Sequence, residues 1–188
     1  MRLIPRGLAG SVGEEEVLVQ QAASGDEAAF ELLVRRHAEA AWRLARALLP
    51  DDFTAEEAVQ ETFIKAHRGL RSFGGRSSFR TWLLAICRRA CLDLIRSRRI
   101  EFLPLDALGE RRTEDGQSDL RLALQEAMVR LPEEERQAFL LVHVLSYSRE
   151  EAAQICGVPA STMRSRVTRA RQHLADRLDS SGGGGRDR

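Results

Sequence analysis

Cysteine, proline and long apolar runs are all sparse in this chain, and each scarcity removes a class of protein. The 188 residues contain three cysteines, Cys87, Cys91 and Cys156, an odd number without a CxxC pair. No secretory signal precedes them, so free cytosolic thiols are expected rather than a disulfide framework. Cys87 and Cys91 stand one helical turn apart, but His37, His67, His143 and His173 are scattered without ligand spacing. A zinc site would need two further ligands at such spacing, so the thiols read as small buried apolar groups. No apolar stretch approaches the roughly 20 residues that a membrane span requires. A Gly-rich phosphate loop, a metal-ligand cluster and a persuasive nucleophile–base pair are also missing, which leaves an enzyme with little support.

The residues that dominate are Ala, Leu, Arg and Glu, which favour helix over strand. Glycine and proline gather at the ends and in turns. With no alternating Val/Ile/Thr run between hairpin turns, the expected fold class is all-α. The length suits one medium domain or two small ones.

The formal net charge of +1 conceals a strong segregation. Acids outnumber bases from Glu14 to Glu61, and bases outnumber acids from Lys65 to Arg99. The stretch Glu101–Asp119 is acidic again, and Arg164–Arg177 is basic. Such alternation fits two contacts with a polyanion and a protein surface elsewhere. Solvated Arg-rich helix faces are the plainer alternative.

Periodicity and punctuation divide the chain into 1–13, a mobile arm; 14–99, a first helical domain; 100–119, an acidic linker; 120–178, a second helical domain; and 179–188, a disordered tail. In the first domain a short helix over 14–23 precedes a long one from Asp26. The apolar stripe of the long helix is Phe30, Leu33, Val34, Ala38, Ala41, Trp42, Ala45 and Leu48. Thr54-Ala-Glu-Glu57 reads as a capping box opening a third helix. There Ala58, Val59, Phe63, Ile64 and Ala66 point inward and Glu56, Glu57, Gln60 and Glu61 outward. A fourth helix, 78–98, has Trp82, Leu83, Ile86, Ala90, Leu94 and Ile95 on its apolar side.

In the second domain Pro132 begins a helix with Glu133, Glu134 and Glu135 in its first turn, where negative charge meets the positive helix end. Ser148-Arg-Glu-Glu151 is another capping box. Then Ala152, Ala153 and Ile155 form one apolar face, and Gly157 supplies unusual backbone angles. Val158 plugs the junction and Ser161 serves as N-cap. Met163, Val167, Ala170 and Leu174 form a continuous stripe on the following helix, leaving Arg164, Ser165, Thr168, Arg169 and Gln172 outside. This pattern suits a helix-turn-helix whose second helix enters the DNA major groove. Arginine can read guanine bidentately, and Ser, Thr and Gln can bond base edges or phosphates. A helical hairpin with a charged outer face is the bland alternative.

Several segments in order resemble the extracytoplasmic-function sigma factors of bacterial RNA polymerase, over about residues 14–178. They are Gly25-Asp-Glu-Ala-Ala-Phe-Glu-Leu-Leu-Val, Thr54-Ala-Glu-Glu-Ala-Val-Gln-Glu-Thr-Phe-Ile-Lys-Ala-His, Ser78-Phe-Arg-Thr-Trp-Leu-Leu-Ala-Ile, and Leu131-Pro-Glu-Glu-Glu-Arg-Gln-Ala-Phe with the helix-turn-helix. The resemblance implies a promoter-specificity subunit without catalysis of its own, in the cytoplasm, with no cofactor, metal or membrane contact. It implies that Glu57, Gln60 and Glu61 contact core polymerase at the β′ clamp helices, with the β flap a further contact. It gives the loop from Phe73 through Arg76 to Ser77 a base flipped from the −10 element, which suits a pocket with a stacking wall. Arg88, Arg89 and Arg96 would hold backbone or neighbouring bases. The −35 element would meet Arg164, Ser165, Thr168, Arg169 and Gln172. The acidic linker would thread the polymerase interior, and an anti-sigma factor is a common partner of such proteins. The chain departs from the family pattern at Gly74, Arg76, Leu84 and Arg89, residues that bear on the −10 preference. A free-standing helix-turn-helix regulator is the alternative; it would account for the second domain alone.

Overall fold

The computed structural model describes residues 12–99 and 123–182. The expected linker 100–119 and most of the expected arm and tail lie outside the described residues. Among those described there is no strand, in agreement with the all-α expectation.

Helices α1 (Val12–Ala23), α2 (Glu27–Leu48), α3 (Asp52–Gly69) and α4 (Phe79–Arg98) form the first bundle, with a 3-10 turn at Leu70–Ser72. Each start after α1 has a local cause. The Asp26 carboxylate accepts from the Ala28 and Ala29 amides at 2.9 and 3.0 Å. Ser78 accepts from the Thr81 amide at 3.1 Å. These are side-chain caps for otherwise unpaired first-turn amides.

The third helix starts earlier than its sequence pattern suggests. Its N-cap is Asp51, which accepts from the Thr54 amide at 2.7 Å and from the Thr54 hydroxyl at 3.0 Å. Thr54 is therefore buried inside the first turn, and the expected Thr54–Glu57 capping box does not form. A carboxylate three residues upstream takes the orphan amide first, which frees Glu57 to pair elsewhere. Ile64, expected inside, is exposed, while Thr62 is fully buried and donates to the Ala58 carbonyl at 2.6 Å.

Residues 123–129 form helix α5. Helix α6 (Glu133–Phe139) widens into a π turn over Leu140–Val144, followed by α7 (Arg149–Cys156) and α8 (Ala160–Gly182). The Ser148 capping box forms in full: the Glu151 amide reaches the Ser148 hydroxyl at 3.1 Å, and the Ser148 amide reaches the Glu151 carboxylate at 2.9 Å. Gly157 ends α7 at φ 68°, the left-handed conformation expected there. Helix α8 begins one residue before the expected Ser161 cap, because the Met163 amide already bonds the Pro159 carbonyl. It also runs on to Gly182, through residues 179–182 expected to lie in the tail.

Two apolar clusters hold the chain together. The smaller joins Ala22, Ala29, Leu33, Ala66, Leu70, Phe79 and Leu83 beneath α1. The larger begins with Leu44, Leu48, Ala58 and Leu84 and continues without a break into Met128, Leu140, Ile155, Met163 and Val167. Helix α4 thus packs on α2 and α3 along one side and on α7 along another. That double packing explains why Leu84, Cys87 and Cys91 are buried beyond the single apolar side read from the sequence. The free, buried Cys91 thiol is pushed well up by its hydrogen bond with the Cys87 thiol and by burial, as inert core thiols are.

Candidate nucleic-acid and polymerase interfaces

The helix-turn-helix is built as its pattern requires. Met163, Val167, Ala170 and Leu174 are all buried, and Val158 is half-buried at the junction. Arg164, Ser165, Thr168, Arg169 and Gln172 all lie exposed on α8, on one open face. The Ser165 hydroxyl donates to the Thr162 carbonyl at 2.9 Å, and the Thr168 hydroxyl to the Arg164 carbonyl at 3.0 Å. Their hydrogens are occupied within the helix, so these oxygens are left to act as acceptors toward any outside partner.

The first turn of α6 does more than meet the helix dipole. Glu134 pairs with Arg166, whose side chain is largely buried. Glu135, itself only 8% exposed at its side chain, lies 3.4 Å from Arg169 Nε and 2.8 Å from His173 Nδ1. Sequence reading missed these ties. Glutamates at the start of a helix satisfy the dipole rule locally, and their partners are more than thirty residues away.

In the first bundle, the loop between the 3-10 turn and α4 borders a cavity of about 390 Å³. Phe73, Gly75, Ser77, Ser78 and Phe79 line one side, and Glu15, Glu16, Val19 and Gln20 of α1 line the other. Phe73 is held by Trp82 and Phe79, with ring centroids 4.9 and 6.2 Å away. Arg76 is exposed at the rim of the loop. The α1 wall has no motif of its own, so the sequence offered no signal for it.

Beneath that wall, His37 is buried with its Nε2 3.2 Å from a Glu15 carboxylate oxygen. Burial lowers its pKa, and the opposing pull of Glu15 does not fully offset this. The imidazole is therefore held toward its neutral form.

Along α4 the arginines separate. Arg89 and Arg96 are exposed, as a nucleic-acid role requires. Arg88 departs from that expectation: it is half-buried, and its Nε donates to Gln137 Oε1 of α6 at 2.7 Å. Two turns earlier, the Arg80 guanidinium sits 5.1 Å from the centroid of the buried Tyr147 ring. Burial raises the Tyr147 pKa, against the opposing effect of Arg80. Arg80, itself exposed, and the half-buried Arg88 thus both make contacts from α4 to the second helical unit.

The acidic side of α3 meets α4 at a shallow groove of about 360 Å³, lined by Glu57, Gln60, Glu61, Ile64 and residues of α4. Glu57 Oε1 accepts from Arg98 Nη2 at 2.7 Å, and Lys65 lies 3.3 Å from Glu61. Phe53 at the start of α3 is 74% exposed. The expected trio therefore stands together on one open surface beside apolar side chains. Among the described residues no group of three or more His, Cys, Asp or Glu is placed to hold a metal. No described helix is long and apolar enough to cross a membrane.

Residues 33–100 match the family model of sigma-70 region 2, and residues 121–174 match that of sigma-70 region 4. The chain is 36% identical over 153 residues to the ECF RNA polymerase sigma factor SigM of Mycobacterium tuberculosis, covering 81% of this chain and 78% of that one. It is 32% identical over 180 residues to the ECF RNA polymerase sigma-E factor of Salmonella typhimurium, covering 87% and 94% respectively. Among solved structures it is similar to CnrH in complex with the cytosolic domain of CnrY, at 27% identity and TM-score 0.66, covering 88% of this chain and 97% of that one. It is also similar to RpoE in complex with the anti-sigma factor NepR from Bartonella quintana, at 28% identity and TM-score 0.60, covering 80% and 96%. The chain belongs to the extracytoplasmic-function sigma factors of RNA polymerase. It is a non-enzymatic subunit that binds core polymerase and directs promoter-specific initiation. Matches to both regions in one chain disfavour the free-standing regulator, which would need the second alone.

Proposed function

We propose that the two halves of the chain divide promoter recognition between them. Residues 14–99 bind the core enzyme and the −10 element, 120–178 bind the −35 element, and 100–119 connect them. Residues 1–13 and 179–188 stand outside both recognition surfaces. The observation that carries this reading is the pairing of an exposed polar and basic face on α8 with an acidic groove between α3 and α4. The first has the donors for guanine and phosphate contacts. The second has the opposite sign and suits a protein partner.

On this reading Glu57, Gln60 and Glu61 meet the β′ clamp helices, and the second domain meets the β flap. Phe73, Arg76 and Ser77 receive a flipped −10 base in the cavity against α1, while Arg89 and Arg96 hold the neighbouring strand. Arg88 joins them once it releases Gln137. Arg164, Ser165, Thr168, Arg169 and Gln172 face the −35 element. The work is done in the cytoplasm, where its DNA and polymerase partners reside. An anti-sigma factor is a fitting further partner, since the structurally similar sigma factor RpoE was solved with the anti-sigma factor NepR.

Run-off transcription with purified core polymerase, after promoter mapping of the co-purified complex, tests the division. Substitutions in α8 should change the response to −35 bases alone, and substitutions at Arg76 the response to −10 bases alone. A mixed response from either set would overturn the assignment.

A further inference from the structure

Glu135 is an unusual neighbour for a DNA-reading helix. A carboxylate near phosphates opposes binding by like charge, yet this one is nearly buried and aimed at α8. One oxygen faces Arg169 Nε at 3.4 Å and the other faces His173 Nδ1 at 2.8 Å. The two partners are one helical turn apart on α8, so a single carboxylate grips the recognition helix at two successive levels. Withdrawn from solvent, its charge bears mainly on these two partners.

An arginine has two edges that can form a bidentate contact, one made by Nε and Nη and the other by the two Nη groups. A carboxylate drawn up beside Nε at 3.4 Å, an ion-pair contact rather than a hydrogen bond, crowds the first edge and leaves the second. The Arg169 side chain remains 58% exposed, which leaves that second edge room to meet a partner. A guanine presents O6 and N7 in the major groove, and the paired Nη groups match that spacing end-on. Holding a long side chain in one such pose also removes rotamer entropy before binding rather than during it.

We propose that Glu135 is a specificity-determining positioning residue that holds the Arg169 guanidinium end-on for guanine at the −35 element, with His173 fixing the carboxylate's plane. The inference rests on the −35 role given to Arg169 above and deepens it. Glu135 itself touches no base.

The test uses the full chain assembled with core polymerase, as wild type, E135A, R169A and the double variant. Binding is measured on promoter fragments in which each −35 base pair is replaced in turn. R169A should flatten the preference at one G·C pair by on the order of tenfold. E135A should flatten the same pair, leave the other positions alone, and add nothing in the R169A background. E135Q keeps the side-chain shape and an oxygen beside Nε, so it should restore most of the discrimination; it also carries the test if E135A does not fold. A base-selective R169A with an E135A effect that is uniform, or that persists in the R169A background, overturns the positioning role alone. Uniform tightening by E135A overturns it too, since the carboxylate would then act only by repelling phosphate. A uniform R169A effect instead makes Arg169 a phosphate contact and removes the −35 reading beneath the inference.

Discussion

Arg88 Nε on α4 donates to the buried Gln137 Oε1 on α6 at 2.7 Å, and Gln137 Nε2 in turn donates to Glu133 at 2.9 Å. This chain of bonds ties the first bundle to the helix-turn-helix unit. Hydrogen bonds to charged groups contribute about 1.5–3 kcal/mol. A double-mutant cycle of Arg88→Ala and Gln137→Ala in urea unfolding should therefore give a coupling of about 1 kcal/mol or more. A coupling near zero would mean that the two residues do not meet in solution.

Leu84 lies in the cluster shared by the two units and is essentially inaccessible. Leu84→Ala should destabilise the protein by about 2–5 kcal/mol, the range for a buried leucine that leaves a cavity. Exposed Ile64→Ala should cost well under half of that. Equal losses at the two sites would contradict the burial pattern.

The cap on α3 separates two readings of the same segment. Asp51→Ala should cost about 0.5–2 kcal/mol, whereas Glu57→Ala should leave the cap intact. The Thr54 amide holds the Asp51 pKa below its ordinary value. The stabilisation is thus present above the unfolded pKa and is lost as pH falls through the folded one. Thermal melts between neutral and acid pH would show a shallower acid loss for Asp51→Ala than for wild type.

His37 produces a second pH dependence. Its folded pKa lies below the unfolded value because burial disfavours the cation. The unfolded chain binds more protons between those two values, so stability is full above the unfolded pKa and falls as pH drops through that window. Histidine titrates near pH 6.5 in the unfolded chain. His37→Phe should flatten part of the slope in denaturant midpoints below neutrality, with exposed His143, also lowered by burial, leaving a remainder. An unchanged slope would take His37 out of the account.

Glu57 makes an ion pair with Arg98 across the groove. Glu57→Arg should weaken binding to core polymerase. The charge-swapped pair Glu57→Arg with Arg98→Glu should restore the internal pair without restoring that affinity. Such exposed pairs contribute under about 1 kcal/mol to folding, so the fold should tolerate both. Recovery of polymerase binding in the swap would show that only the internal pair had mattered.

Much of this molecule was legible from local pattern. The all-α class, the helix starts at Ser78 and Ser148, and the left-handed Gly157 follow from composition and capping chemistry that act over a few residues. So does the buried stripe Met163, Val167, Ala170 and Leu174, because a 3.6-residue period sorts side chains before any tertiary contact forms. The exposed face of α8 then follows by exclusion.

What local pattern could not decide are the partners of residues far apart in the chain. Thr54 looked like a cap until Asp51 took its amide, and Arg88 looked like an open cation until α6 reached it. The glutamates of α6 looked like dipole partners, yet Glu134 and Glu135 close on Arg166, Arg169 and His173. In each case an ionic or hydrogen-bonding group has several chemically adequate partners, and only tertiary packing chooses among them. Most periodic apolar residues had one way to be buried, so the sequence determined the helices and most of their inward faces, with Ile64 and the second buried side of α4 the exceptions. The polar residues had many ways to be satisfied, so the fold decided which arginines are held by distant partners and which are left exposed.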